Sequence, residues 1–163
     1  MAIREIFLDG DPILTQPCRK VVVFDDRLRE LVDDIKQTLD ATKHAVGLAA
    51  PQVGILKRIA VVNLSGTQHV LINPEIIQQT GRQRQEEGCL SFPYEYGVTI
   101  RPKHIVVQAQ NSEGSSIEIT GKNFDACVLC HEIDHLNGIL FQSRFEPKYT
   151  SRFNFREVRE YGP

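Results

Sequence analysis

His131-Glu132-Ile133-Asp134-His135 is the stretch around which this chain is organised. It has the form H-E-x-x-H, and on an α-helix residues four apart lie on one face, one turn above the other. Two imidazoles so placed can grip one metal ion. Glu132 lies one step round the helix, close enough to take a proton from a water at that metal. The chain has only five histidines, so a pair at this spacing around a glutamate points to a metal-binding helix rather than a polar face turned to solvent. Asn123 or Asp125 can start the helix, which is expected to run to about Asn137 with Gly138 as its stop.

Outward from that helix the sequence changes period. Asp25 or Asp26 can cap an earlier helix running to about Thr42, with Leu28, Leu31, Val32, Ile35 and Leu39 as its core-facing stripe. Strand signals dominate from Arg58 to Thr120: Ile59-Ala60-Val61-Val62, Val70-Leu71-Ile72, Glu75-Ile76-Ile77, Ile105-Val106-Val107 and Ile117-Glu118-Ile119. Asn111-Ser112-Glu113-Gly114 is a turn between the last two, predicting a hairpin. A last helix is expected over Ser151 to Tyr161. One run of strands between helices predicts an α+β fold, with antiparallel sheets packed around the central metal-binding helix and with an N-terminal and a C-terminal helix. The 163 residues contain no repeat or low-complexity linker and suit one domain, 1–163.

The pentapeptide lacks a third ligand, which a catalytic zinc-type site needs alongside an open position. The metzincin pattern H-E-x-x-H-x-x-G-x-x-H is matched as far as Gly138, but Phe141 stands at its last position and cannot bind metal. A downstream glutamate, as in thermolysin-like proteases, would be Glu146 or Glu157; the other donors are Cys18, Cys89, Cys127, Cys130, His44, His69 and His104. Context favours Cys89, in Glu86-Glu87-Gly88-Cys89-Leu90-Ser91, where Gly88 lets the backbone pass close to another group. A thiolate beside a divalent cation binds it strongly, although a free cysteine is often just a small buried hydrophobe. Cys127 and Cys130 form a C-x-x-C inside the predicted helix, where core packing suits them better than redox chemistry.

A third segment, Gly47-Leu48-Ala49-Ala50-Pro51-Gln52-Val53-Gly54, is small, apolar and turn-rich. Pro51 biases Ala50 towards an extended conformation, and Gln52 is the lone polar side chain, able to donate to a developing oxyanion or to point to water.

Together, Gly47-Leu48-Ala49-Ala50-Pro51-Gln52, Glu87-Gly88-Cys89-Leu90-Ser91 and His131-Glu132-Ile133-Asp134-His135 resemble the three signature motifs of the peptide deformylases. The resemblance extends through Gly10-Asp11-Pro12, Ile72-Asn73-Pro74 and His135-Leu136-Asn137-Gly138-Ile139-Leu140-Phe141, nearly the whole chain. It implies that Cys89, His131 and His135 hold the metal, and that Glu132 is the general base and later the acid. It also implies that Gln52 and the Leu90 N–H stabilise the oxyanion, and that Val46, Gly47 and Gly88 lie against substrate. Two positions depart from the family: Ala45 replaces the first glycine of a usual Gly-x-Gly, and Cys130 stands where glutamine is common before the first metal-binding histidine. Ile100, Val128 and Leu129 are candidates for lining a methionine pocket. The implied reaction is removal of the formyl group from the formyl-methionine N-terminus of new proteins, with N-formylmethionyl peptides and nascent chains as partners. The resemblance favours Fe2+ in the cell, with Zn2+, Ni2+ or Co2+ in a purified sample; thiolate plus imidazole suits all four.

Composition agrees. Net charge is −2, which does not suggest a DNA binder, and no apolar run reaches membrane-spanning length. Met1 to Phe7 lacks the apolar core of a signal peptide, and four unevenly spaced cysteines argue against a disulfide framework, so a bacterial-type cytoplasm is expected. Arg144, Lys148, Arg152, Arg156 and Arg159 stand among Glu146, Glu157 and Glu160, either as a solvated helix with ion pairs or as a ribosome contact. Arg101 can pair with Glu87 and fix the loop carrying Cys89, or be an ordinary surface arginine.

Overall fold

The computed structural model describes residues 2–147. Helix α1 spans Asp26–Asp40; its N-cap is Asp25, whose carboxylate accepts from the Leu28 N–H at 3.0 Å. Its stripe of Leu28, Leu31, Val32, Ile35 and Leu39 is buried, as the spacing predicts. The stripe packs on Leu48, Ile59, Val61 and Ile72.

Among the described residues seven strands follow: β1 Gly47–Ala49, β2 Ile59–Leu64, β3 Thr67–Thr80, β4 Gln83–Cys89, β5 Phe92–Arg101, β6 His104–Gln110 and β7 Ser116–Lys122. A five-stranded sheet has the order β1-β2-β3-β6-β7, with every pairing antiparallel. β4 and β5 form a separate two-stranded sheet. Helix α2, Phe124–Leu136, carries the H-E-x-x-H stretch. Strand β2 shows why the helices take opposite faces. Ile59 and Val61 turn to the cluster of α1, whereas Val62 and Leu64 join that of α2 with Leu71, Ile105, Leu129 and Ile133. Period-two alternation serves both faces, so the strand reads as a continuous apolar run.

Nearly every residue of α2 from Ala126 to Leu136 is buried, as expected of a helix enclosed on all sides. It stops in a Schellman geometry: the Gly138 N–H donates to His135 O (3.1 Å) and the Ile139 N–H to Asp134 O (2.9 Å). Gly138 sits at φ +72°, where a side chain would be strained and would also meet the Thr15 carbonyl.

The α+β expectation holds, with three differences. Val70–Ile72 and Glu75–Ile77 are halves of one strand, β3, bulged where Asn73 (φ +51°) and Pro74 interrupt the ladder. Asn73 is held there by its side chain, which accepts from Val21 N and donates to Val21 O, both at 2.8 Å. The sequence reading missed β1, β4 and β5 altogether. At Pro51 the extended residue is Ala49 (φ −104°, ψ 149°), one position earlier than expected, because Ala50–Val53 forms a 3-10 turn. The helix expected over Ser151 to Tyr161 lies outside the described residues.

Candidate metal centre and active site

α2 presents His131 and His135 on one face, with ring centroids 5.0 Å apart. Cys89 reaches them from the end of β4, where the pairing jumps from Gly88↔Tyr96 to Cys89↔Phe92. That irregularity gives β5 three extra residues and aims the thiol inward. Its Sγ lies 3.3 Å from His135 Nε2, and one donor atom from each of Cys89, His131 and His135 falls within 4.8 Å of the others. Such a span is compatible with a single ion at bond lengths of about 2.0–2.3 Å, and a thiolate with two imidazoles is a suitable donor set.

The other donors considered stand elsewhere. Phe141, at the metzincin ligand position, packs its ring against His131 at 5.7 Å. Glu146 pairs with Arg84 at 2.8 Å. Cys18 packs beside Leu136, His69 and His104 lie on β3 and β6, and His44 stands at the cleft rim. Glu157 is outside the described residues.

Glu132 is buried, and among the described residues its Oε1 has no hydrogen-bond partner. Burial raises its carboxyl to about 7, against the opposing pull of His131. It backs directly onto Gly47, where any Cβ would collide with the carboxylate. Gln52, also buried, is oriented at both ends of its amide. Oε1 accepts from the Ala49 N–H at 2.9 Å, and Nε2 donates to Ser91 Oγ at 3.2 Å and faces Cys89 Sγ at 3.6 Å. The amide therefore points its donor at the cysteine and not at water.

Behind the histidines lies a buried ionic group. His131 Nδ1 meets Glu87 Oε1 at 2.8 Å, and Arg101 forks onto Glu87 at 2.7 and 2.9 Å. Thr99 Oγ1 also donates to Glu87. Arg101 is only 3% exposed, so the reading of it as a surface arginine fails and its pairing with Glu87 stands. Burial alone would raise Glu87, but Arg101 and His131 hold it well below the usual carboxylate range. Burial likewise opposes His131, yet contacts with Cys89 and Glu87 carry it above the ordinary imidazole value; burial and the neighbouring His131 push His135 below it.

A cleft of about 340 Å³ opens over these groups. Its walls include Val46, Gly47, Gly88, Leu90, Phe124, Cys127 and Val128. Val46 and Phe124 are 38% and 47% exposed, apolar surface of the kind a binding cleft presents to its ligand. Of the pocket residues expected from sequence, Val128 lines the cleft; Leu129 is fully buried against the sheet and Ile100 is not in the wall. Cys127, expected to be plain core, forms part of the wall, and burial pushes its thiol far up. Cys130 is core, with its thiol pushed up by burial to about 11. The sequence reading assigned nothing to Ser91, Phe124 or Asp134. Ser91 and Asp134 lie inside the quoted motifs, but no spacing rule marks them, and Phe124 is an aromatic at a helix start.

A family model described as polypeptide deformylase matches residues 3–151. A peptide deformylase of Acetivibrio thermocellus is 50% identical over 144 residues, 88% of this chain and 84% of that protein. One from Thermomicrobium roseum is 43% identical over 162 residues, covering 94% of this chain and 92% of its own length. The crystal structure of the peptide deformylase from Thermotoga maritima superposes with a TM-score of 0.86 at 37% identity, over 90% of this chain and all of that one.

Proposed function

The chain belongs to the polypeptide deformylase family, and on that premise we propose that Cys89, His131 and His135 hold its one divalent cation while Glu132 carries the proton. It is a hydrolase that removes the N-formyl group from nascent peptides. The observation that carries the residue roles is the convergence, on one cleft, of three metal donors, an unpaired buried carboxylate and an oriented amide donor. A cation in this donor set supplies Lewis acidity and lowers the pKa of water. Fe2+ is the ion proposed for the cell, with Zn2+, Ni2+ or Co2+ able to occupy the same ligands in a purified sample.

Glu132 takes a proton from water as its oxygen adds to the formyl carbon, then gives that proton to the departing amine nitrogen. The C–N bond breaks, leaving formate and a free N-terminus. Burial favours the neutral form of the Glu132 carboxyl, so it holds a proton more readily than an exposed carboxylate, which suits it to both transfers. Charge developing on the formyl oxygen is met by the Leu90 N–H and by the Gln52 amide, which Ala49 and Ser91 hold in place and whose other N–H, facing Cys89 across 3.6 Å, turns to that oxygen. Val46, Gly47 and Gly88 take the peptide backbone, and the apolar wall of Val46, Phe124, Cys127 and Val128 suits a methionine side chain.

The substrates are formyl-methionyl nascent chains met in the cytoplasm, handled by a single domain, 1–163. A ribosome contact through Arg144, Lys148, Arg152, Arg156 and Arg159 is part of this proposal, and all of these but Arg144 lie outside the described residues. Among the described residues no helix is long and apolar enough to cross a membrane. The test is formate release from a formyl-Met peptide. Glu132→Gln is expected to keep its metal and lose about 100-fold or more in rate, because an amide cannot accept the proton. Wild-type turnover in that variant would remove Glu132 from the mechanism.

A further inference from the structure

We propose that Asp134 and Arg144 are positioning residues for the metal centre, holding the His131 ring in place through Arg101 and Glu87. This inference rests on reading Cys89, His131 and His135 as the metal ligands.

The contacts form one unbroken line. Arg144 forks onto Asp134, Nε to Oδ2 at 3.1 Å and Nη2 to Oδ1 at 3.0 Å. Asp134 Oδ2 also accepts from Arg101 Nη1 at 2.6 Å, and Arg101 forks onto Glu87, whose Oε1 meets His131 Nδ1. Two guanidiniums alternate with two carboxylates, so the group is neutral overall. Side-chain exposure falls from 43% at Arg144 to 12% at Asp134, 3% at Arg101 and 4% at Glu87. The line therefore runs from the surface to a metal ligand.

Two forks make this a rigid strut. A bidentate pair fixes the plane of a carboxylate as well as its distance, which a single hydrogen bond does not. Without Arg144, Asp134 would keep, among the described residues, only Arg101 Nη1 and could rotate. Arg101 would follow, and with it the Glu87 oxygen that sets the tautomer and tilt of His131. Arg144 closes the short 3-10 turn Phe141–Arg144, and that turn braces the same histidine a second way, through the Phe141 ring. Phe145, next in sequence, packs on both Phe141 and Gly97 of β5. One segment after α2 thus supports His131 on its ring face and, through four side chains, at Nδ1. Partners directly behind a metal-binding histidine typically contribute 10- to 100-fold in metal affinity. A strut should show that effect attenuating with distance along it.

The test loads the enzyme with Co2+ and follows its release to a chelator, its visible absorption spectrum and the Tm of the metal-free protein. Expected release rates rise about 5-fold for Asp134→Asn and about 3-fold for Arg144→Met, below the 10- to 100-fold of Glu87→Gln. The Co2+ spectrum should shift in each, with the metal-free Tm of Arg144→Met close to wild type. Arg144→Lys restores charge without the fork and should recover only part of the effect. Arg144 is on the surface, so its variants remain informative even where Asp134→Asn folds poorly. Wild-type Co2+ release and spectrum in Arg144→Met would overturn the proposal. Cys89→Ala separates the two readings: full Co2+ binding there would instead overturn the assignment of the metal ligands.

Discussion

Gly47→Ala is the smallest change expected to disable the enzyme. The added methyl would stand 2.8 Å from Glu132 Cδ and 2.9 Å from Cγ, about 1 Å inside ordinary carbon contact. Glu132 is 3% exposed and sits on α2, a helix buried on nearly every side, so the carboxylate has little room to retreat. Overpacking of this kind costs about 1–3 kcal/mol, part of it as an off-rotamer Glu132. In a domain of this size that lowers Tm by roughly 2–12 °C. The catalytic penalty is similar in energy but falls wholly on the rate, because displacing a reacting group by about 1 Å costs on the order of 100-fold, near 2.7 kcal/mol. Formate release should therefore show kcat down about 100-fold. Metal content should stay stoichiometric, since the atoms nearest the new methyl all belong to Glu132, which is not one of the proposed ligands. Wild-type kcat in a fully metallated Gly47→Ala would refute the reasoning, showing either that Glu132 shifts freely or that its position is unimportant.

Gln52→Ala should lower kcat by about 100-fold, the usual loss for one oxyanion donor of roughly 3 kcal/mol, with a smaller change in KM; a rise in KM alone would reassign it to substrate binding. Fe2+ enzyme should lose activity in air, from oxidation of the metal or of Cys89, while a Ni2+ form persists; equal lifetimes would count against an iron-thiolate site. Glu87 is held below the usual carboxylate range, so its contribution to stability is complete above the unfolded value of about 4.3 and is lost as pH falls through the lower folded value. Glu87→Gln should accordingly have a lower Tm at neutral pH and a shallower loss of Tm in acid, measured by calorimetry; parallel acid profiles would argue against this.

What the sequence disclosed follows from the range of the forces involved. Both helices were legible because their signals are local: a cap and a 3.6-residue stripe in α1, two histidines one turn apart in α2. β4 was not, because Gln83-Arg84-Gln85-Glu86-Glu87-Gly88-Cys89 lacks β-branched residues. It is a strand because it pairs with β5 and because Glu87 finds Arg101 fourteen residues away. Cys89 stood out by context and by the family's motifs, not by spacing, since its bonding partners lie on another element. Asp134 was in view throughout, yet nothing in a linear chain says which arginines it will meet. Only the folded geometry joins it to Arg101, 33 positions earlier, and to Arg144, ten later.

The separate β4–β5 ribbon makes metal supply a matter of conformational stability. A two-stranded ribbon is marginal on its own. This one carries Cys89, and its nearest ligand neighbour on α2, His135, is 46 residues away in sequence. A cation shared between them is a reversible cross-link that favours the native state by RT ln(1 + [M]/Kd), about 4 kcal/mol at a thousandfold excess over Kd. Starved of its ion, the protein would loosen first at the ribbon, where backbone amides would exchange sooner and proteases find purchase. Abundance as well as turnover would then track cation availability, so that a cell short of metal would clear the idle enzyme along with its unfilled site.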